Sequence, residues 1–284
     1  FTDKAHMAQT PSRETYSMYF AKSGTVRKNA DIRIGASGSQ VAFADYKNSM
    51  ISNKSNSYGF YESTIQGNAT FDVVGNWSLG SKSKSWFLND STVKGDVDIT
   101  LDTTSFGISN STGTDLGGSV LVYKGSVGNI TITDKTGCSN YVVAAQCTVN
   151  NIVGKRTVTG TSRGIVTYLY QDSSYTLNGG LYAEDYQDVY VGGTYTINKD
   201  VATRDLYVLN KSDITIADGT TVTYTGDAEL NGSITNHGSF YCKGDKYSDT
   251  TVSGTFTNTG DVSLLTATTL TSVSYTHLRA HETS

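Results

Sequence analysis

Gly232-Ser233-Ile234-Thr235-Asn236-His237-Gly238-Ser239-Phe240-Tyr241-Cys242 is answered 22 residues later by Gly254-Thr255-Phe256-Thr257-Asn258-Thr259-Gly260-Asp261-Val262-Ser263-Leu264. Gly, Thr, Asn and Gly recur, and the apolar positions keep their places. A second pair lies upstream. Ser63-Thr64-Ile65-Gln66-Gly67-Asn68-Ala69-Thr70-Phe71-Asp72-Val73 matches Ser91-Thr92-Val93-Lys94-Gly95-Asp96-Val97-Asp98-Ile99-Thr100-Leu101 at an offset of 28, with Tyr58 aligned on Trp86. Gly128-Asn129-Ile130-Thr131-Ile132 repeats the same core 33 residues after Gly95, and Gly226-Asp227-Ala228-Glu229-Leu230 is a weaker copy. Repeats at such periods mark units that bury their apolar face only by stacking on a neighbour.

Each unit is a Gly-polar turn followed by apolar-polar-apolar alternation, the pattern of a short strand with one buried face. Ile214/Ile216, Val222/Tyr224, Ala228/Leu230 and Val262/Leu264 all keep the period of two, and Asp218-Gly219 and Asn231-Gly232 are tight-turn dipeptides. A coil of 22 residues at about 3.3 Å each has a contour of about 73 Å, which suits three short strands and three turns. The unequal offsets then mean a constant strand set with surface loops of variable length. A single Pro in 284 residues fits internal strands that need every N–H in a ladder. The reading is all-β: a parallel right-handed β-helix, or β-solenoid, over residues 26–271. Insertions are expected near 138–147 and 171–188, and residues 1–25 are expected to be an entry segment or part of a truncated preceding region. Tandem β-sandwiches are the alternative, although a sandwich needs about 100 residues per repeat. Asn236 and Asn258 either stack as a side-chain ladder at a coil corner or each serve a turn alone.

Composition narrows the function. The charge of −4 and a charged fraction of 17% argue against a basic nucleic-acid face, and no stretch approaches the roughly 20 apolar residues of a membrane helix. The expectation is no nucleic acid, no membrane span and no cofactor. No phosphate-cradling Gly loop opens a helix, and no Gly-Gly-X-Gly-X-Asp calcium repeat occurs.

The paired Gly-Ser-Ile-Thr-Asn-His-Gly-Ser-Phe and Gly-Thr-Phe-Thr-Asn-Thr-Gly-Asp-Val units resemble the coils of bacterial β-helix surface proteins. These are autotransporter passengers, filamentous-haemagglutinin-like adhesins and pectate-lyase-like adhesive domains. The matches cover 58–132 and 217–264. The resemblance implies a fragment of an exported, extracellular or surface-displayed bacterial protein that acts as an adhesin or stalk. Its implied partners are glycans or surface proteins. Three Cys and the lack of a barrel domain depart from an autotransporter passenger. The competing readings are a polysaccharide lyase or hydrolase on a β-helix, and a phage tail-fibre or spike segment. Asp96 and Asp98, on one strand face, and the basic pair Lys155-Arg156 do not assemble into one catalytic constellation, so no catalytic residue is assigned.

Tyrosine clusters between 168 and 207. Tyr168, Tyr170, Tyr182, Tyr186 and Tyr190, with Glu184, Asp185 and Asp188, form the candidate carbohydrate-binding set: rings offer flat amphipathic contacts and acids accept hydroxyl protons. The plainer reading is that Tyr suits a strand face and stacks on its cross-coil neighbours. Cys138 and Cys147 span a short loop that a disulfide would staple. The alternative is buried thiols, and the spacing does not resemble a zinc site. Residues 273–283 resemble a translated sequencing-library adapter. Residues 272–284 are therefore expected to be read-through, which removes His277 and His281 as a metal pair.

Overall fold

The computed structural model describes residues 16–34, 40–43, 55–74, 76–79, 84–102, 119–135, 142–156, 164–170, 176–244, 248–264 and 268–270. Among these residues every regular element is a β-strand. None is a helix long and apolar enough to cross a membrane. The chain divides into two units, Phe1–Cys147 with Lys155–Gly164, and Thr148–Gly154 with Ile165–Ser284.

In the first unit, strands pair in parallel with their counterparts one repeat away. Tyr16–Lys22, Ser55–Tyr61, Lys84–Val93 and Ser119–Ser126 form one ladder, in which Tyr58 lies opposite Trp86. Ala30–Ile34, Ala69–Val74, Val97–Asp102 and Ile130–Asp134 form a second. Ala30, Ala69, Val97 and Ile130 stand in one column although 39, 28 and 33 residues separate them. The differences in repeat length therefore fall outside the ladders. Alternation carries Phe71, Val73, Ile99, Leu101, Ile130 and Ile132 inward, where each is at most 2% exposed. Phe71 stacks on Phe87 at 4.8 Å between ring centres and meets Phe60 edge-on at 6.3 Å.

The bend out of the first ladder has a fixed conformation. Ser23, Glu62, Asp90, Lys124 and Gln146 all adopt left-handed φ between 48° and 53°. The pairing of Lys22, Tyr61 and Asn89, and of Asn89 with Tyr123, places the first four at equivalent positions. This backbone region costs L-residues free energy unless the surroundings impose it. Here Ser63 and Ser91 brace the bend: Ser91 Oγ donates to the carbonyl oxygens of Phe60 or Asn89 and accepts from Ser63 N–H at 3.1 Å.

The second unit carries three strands per repeat. Asp213–Ile216, Thr221–Tyr224 and Ala228–Leu230 are followed by Ser233–Asn236, Ser239–Cys242 and Thr250–Val252, and then by Phe256–Asn258, Asp261–Ser263 and Thr268–Leu270. Each pairs in parallel with its successor, at the 22-residue offset for Ile234/Phe256 and Asn236/Asn258. Sandwich sheets are antiparallel, so the parallel ladders overturn the tandem-sandwich alternative.

Segment boundaries differ from the sequence reading in three places. The strand ladder already includes Tyr16–Lys22, ahead of residue 26. Much of the stretch read as an insertion at 138–147 belongs to the strand Val142–Val149. Of the segment 171–188, Thr176–Leu177 and the start of Leu181–Gly192 are strand. The extra length there is a bulge, because Ala183 and Asp188 oppose Thr203 and Asp205. Residues 272–284 lie outside the described residues.

Candidate functional site

The site grows from a turn that precedes a ladder. In the first unit, the turn before Ala30, Ala69, Val97 and Ile130 carries Asn29, Asn68, Asp96 and Asn129. The first three accept the backbone N–H one repeat on through Oδ1: Asn68 N–H donates to Asn29 at 3.0 Å, Asp96 N–H to Asn68 at 3.1 Å and Asn129 N–H to Asp96 at 2.8 Å. Asn and Asp suit this role because a short side chain reaches an N–H that the turn would otherwise leave without a partner. Asp96 is thus a turn residue whose Oδ1 accepts both the backbone and side-chain N–H of Asn129, whereas Asp98 is exposed.

The second unit uses the same device with a gap. Ile152, Leu181, Val201 and Val222 stand in one column, preceded by Asn151, Gly180, Asp200 and Thr221. Gly180 N–H donates to Asn151 Oδ1 at 2.9 Å, and Thr221 N–H to Asp200 Oδ1 at 2.9 Å. Gly180, between them, has no side chain to continue the series. The ring of Tyr182 lies over it, so a Cβ at Gly180 would collide with the ring. Gly179 and Gly219 add no bulk. The result is an open polar concavity of about 360 Å³ lined by Asn151, Asn178, Tyr182, Asn198, Lys199 and Asp200 together with these glycines.

Tyr182 is 45% exposed, a high value for so large a ring. Asn178 donates Nδ2 to Asn150 Oδ1 at 3.2 Å, which fixes its amide. The side chains of Asn198 and Lys199 are exposed and make no hydrogen bond or ion pair among the described residues, and the Tyr182 hydroxyl makes none either. The concavity therefore presents an aromatic ring, a carboxylate, an ammonium and amides within one small surface.

Of the sequence-derived set, Tyr182 alone is placed in this concavity by the described side chains. Asp188 is buried at 5% exposure, so its carboxylate is not part of an exposed acidic face. The bulge between Ala183 and Asp188 accounts for this: it adds residues on one strand and breaks simple alternation. Tyr190 stacks on Tyr207 at 4.6 Å and 15° between ring planes, the cross-strand packing that the plainer reading expected. Tyr168 and Tyr170 lie on the strand Gly164–Tyr170, and Glu184, Asp185 and Tyr186 on Leu181–Gly192. The side chains of these five lie outside the described residues. Asn178 lies in the segment 171–188 that the sequence reading marked as an insertion; Asn151, Asn198, Lys199 and Asp200 were not singled out, and their common signal is a turn before a repeating apolar position.

Cys147 is buried on its strand, and Cys138 lies outside the described residues. Cys242 is buried as a free thiol in register with Tyr224. The Tyr224 hydroxyl sits 2.6 Å from Thr250 Oγ1, and burial pushes its pKa far above the ordinary tyrosine range. Burial also raises the Tyr195 hydroxyl to about 12. Among the described residues no three His, Cys, Asp or Glu side chains are grouped to hold a metal ion. No protein-family model, curated protein or solved structure matches the chain.

Proposed function

We propose that this chain is a stretch of a parallel right-handed β-solenoid from an exported bacterial surface protein, working as an adhesin or structural stalk rather than as an enzyme. The observation that carries the reading is the constancy of the ladders against the variability of the repeat. Columns such as Ala30–Ala69–Val97–Ile130 hold their register while the intervening lengths change. A scaffold of that kind tolerates insertions outside its ladders, where binding residues commonly sit on a rigid frame. Right-handedness follows from the general rule for parallel crossovers, obeyed in about 98% of cases. The glycan and surface-protein partners belong to this proposal.

Two measurements test it. Antibodies raised against the folded chain label intact, unpermeabilised cells that express the gene; labelling only after permeabilisation contradicts export. Beads coated with the folded chain adhere to bacterial or host surfaces more than beads coated with heat-denatured chain. Release of sugar products from polysaccharide by the purified chain would instead favour the lyase or hydrolase reading.

A further inference from the structure

The geometry points to the concavity beside Tyr182 as a subsite for a neutral saccharide, a deepening that rests on the adhesive reading above. Three features of the site select this ligand class.

The first is the ring. Tyr182 folds back over Gly180 yet stays 45% exposed. A tyrosine held this way offers a flat apolar surface with a polar rim, which matches the face of a pyranose, where C–H groups cluster and hydroxyls stand at the edge. The second is charge. Lys199 and Asp200 are adjacent and opposite in sign, so the formal charge of the lining cancels. A phosphate or carboxylate ligand would gain Lys199 but meet Asp200, and a cation the reverse. A hydroxyl-rich neutral ligand meets neither penalty. The third is the mixture of donors and acceptors. Lys199 donates only, the second Asp200 oxygen accepts only, and the Asn198 amide does both. Sugar hydroxyls also donate and accept, so vicinal pairs can bridge such groups.

Size agrees. About 360 Å³ lies at the lower end of ligand sites, which run from roughly 300 to 1,000 Å³, enough for one or two sugar rings with the rest of a chain outside. The turns contributing Asn151, Asn178 and Asn198 succeed one another at the strand spacing, about 4.8 Å, comparable to the length of one hexose unit. Gly180 is a positioning residue: its missing Cβ is what lets the ring lie down.

The test is amide-resonance titration of the whole chain with cellobiose, maltose, lactose, mannobiose and chitobiose, and separately with inorganic phosphate. The expected result is saturable shifts at Asn178, Tyr182 and Asn198–Asp200 with at least one disaccharide, at a Kd of about 1 mM. Tyr182→Ala, and Gly180→Ala through displacement of the ring, each weaken that binding about tenfold. Asn198→Ala and Lys199→Ala remove exposed, unbonded side chains, so they keep the parent melting temperature while weakening binding. Three results overturn the assignment. One is that no disaccharide shifts these resonances at about 10 mM, tenfold above that Kd. Another is phosphate binding tighter than every sugar. The third is sugar binding that survives Tyr182→Ala and Lys199→Ala unchanged. Surface labelling of cells reports on the adhesive reading independently: labelled cells with no sugar binding remove the subsite and leave the stalk, and sugar binding by a chain confined inside cells removes the surface reading alone.

Discussion

Asn236 donates its side-chain amide to Asn258 Oδ1 at 2.7 Å, one 22-residue repeat away, and both residues are at most 3% exposed. The pair sits where Ile197 and Ile216 occupy the two preceding rungs, so a polar ladder begins inside an apolar column. Asn258 in turn donates to the Gly260 carbonyl at 2.8 Å. An amide serves at Asn258 because it accepts from the neighbouring rung and donates to its own turn at once, while the Asn236 amide donates both to Asn258 and to the Asp261 carbonyl.

Breaking that pair is expected to be costly. Asn258→Ala leaves the Asn236 amide without one partner and lowers stability by about 1–3 kcal/mol. Asn236→Ala acts in the same direction. Replacing both by Leu costs less than the sum of the single changes, because no orphaned amide remains. Urea-denaturation midpoints of the three variants check this.

Glycine tolerance differs between Gly125, on the strand Ser119–Ser126, and Gly219, in a turn. Gly125 has φ of +118°, and a Cβ there would press on the Ser91 backbone carbonyl. Gly125→Ala is therefore expected to cost roughly 3 kcal/mol or more, combining strain with a backbone shift. Gly219 has φ of +72° with nothing within 4 Å of its Cβ position. Gly219→Ala is expected to cost only about 1 kcal/mol, the left-handed penalty alone. Thermal melts of the two variants side by side measure the difference.

Two tyrosines, the half-buried Tyr195 and the buried Tyr224, make stability fall at high pH. Burial raises the Tyr195 pKa to about 12, and raises that of Tyr224 beyond the ordinary range despite the hydrogen bond with Thr250. The unfolded chain releases these protons near pH 10, whereas the folded chain keeps them. The stability tied to each is whole below pH 10 and is lost as pH rises through the folded value. For Tyr195 the loss falls between pH 10 and about 12. Tyr195→Phe flattens that decline. Tyr224→Phe flattens it further while lowering stability at neutral pH by about 1 kcal/mol through the lost hydroxyl contact. Denaturation midpoints between pH 8 and 11.5 read both slopes.

The repeat was legible because its signals are local. Glycine spacing and two-residue alternation put Ile234 over Phe256 and Tyr58 over Trp86, and the ladders hold both pairs. The left-handed bend at Ser23, Glu62, Asp90 and Lys124 was not legible: none of the four is a glycine, and hydrogen bonding through Ser63 and Ser91 braces it. The concavity was hidden for a related reason. Gly180 reads as an ordinary turn residue until the register sets it between Asn151 and Asp200, where its missing side chain leaves a gap. Tyr182 was found from composition. Its polar neighbours come from three successive turns that only the ladder register brings together, and the surroundings of Asp188 depend on a bulge that alternation does not announce.

Thr196, Thr215, Thr235 and Thr257 form one column across four strands of the second unit. They supply the most direct test of coil-on-coil stacking. Spin labels are placed pairwise on Thr257 with Thr235, Thr215 or Thr196, and distances are read by electron paramagnetic resonance. Parallel stacking predicts backbone separations of about 5, 10 and 14 Å, one strand spacing per rung. Separations that do not grow by one such step per rung would contradict the account.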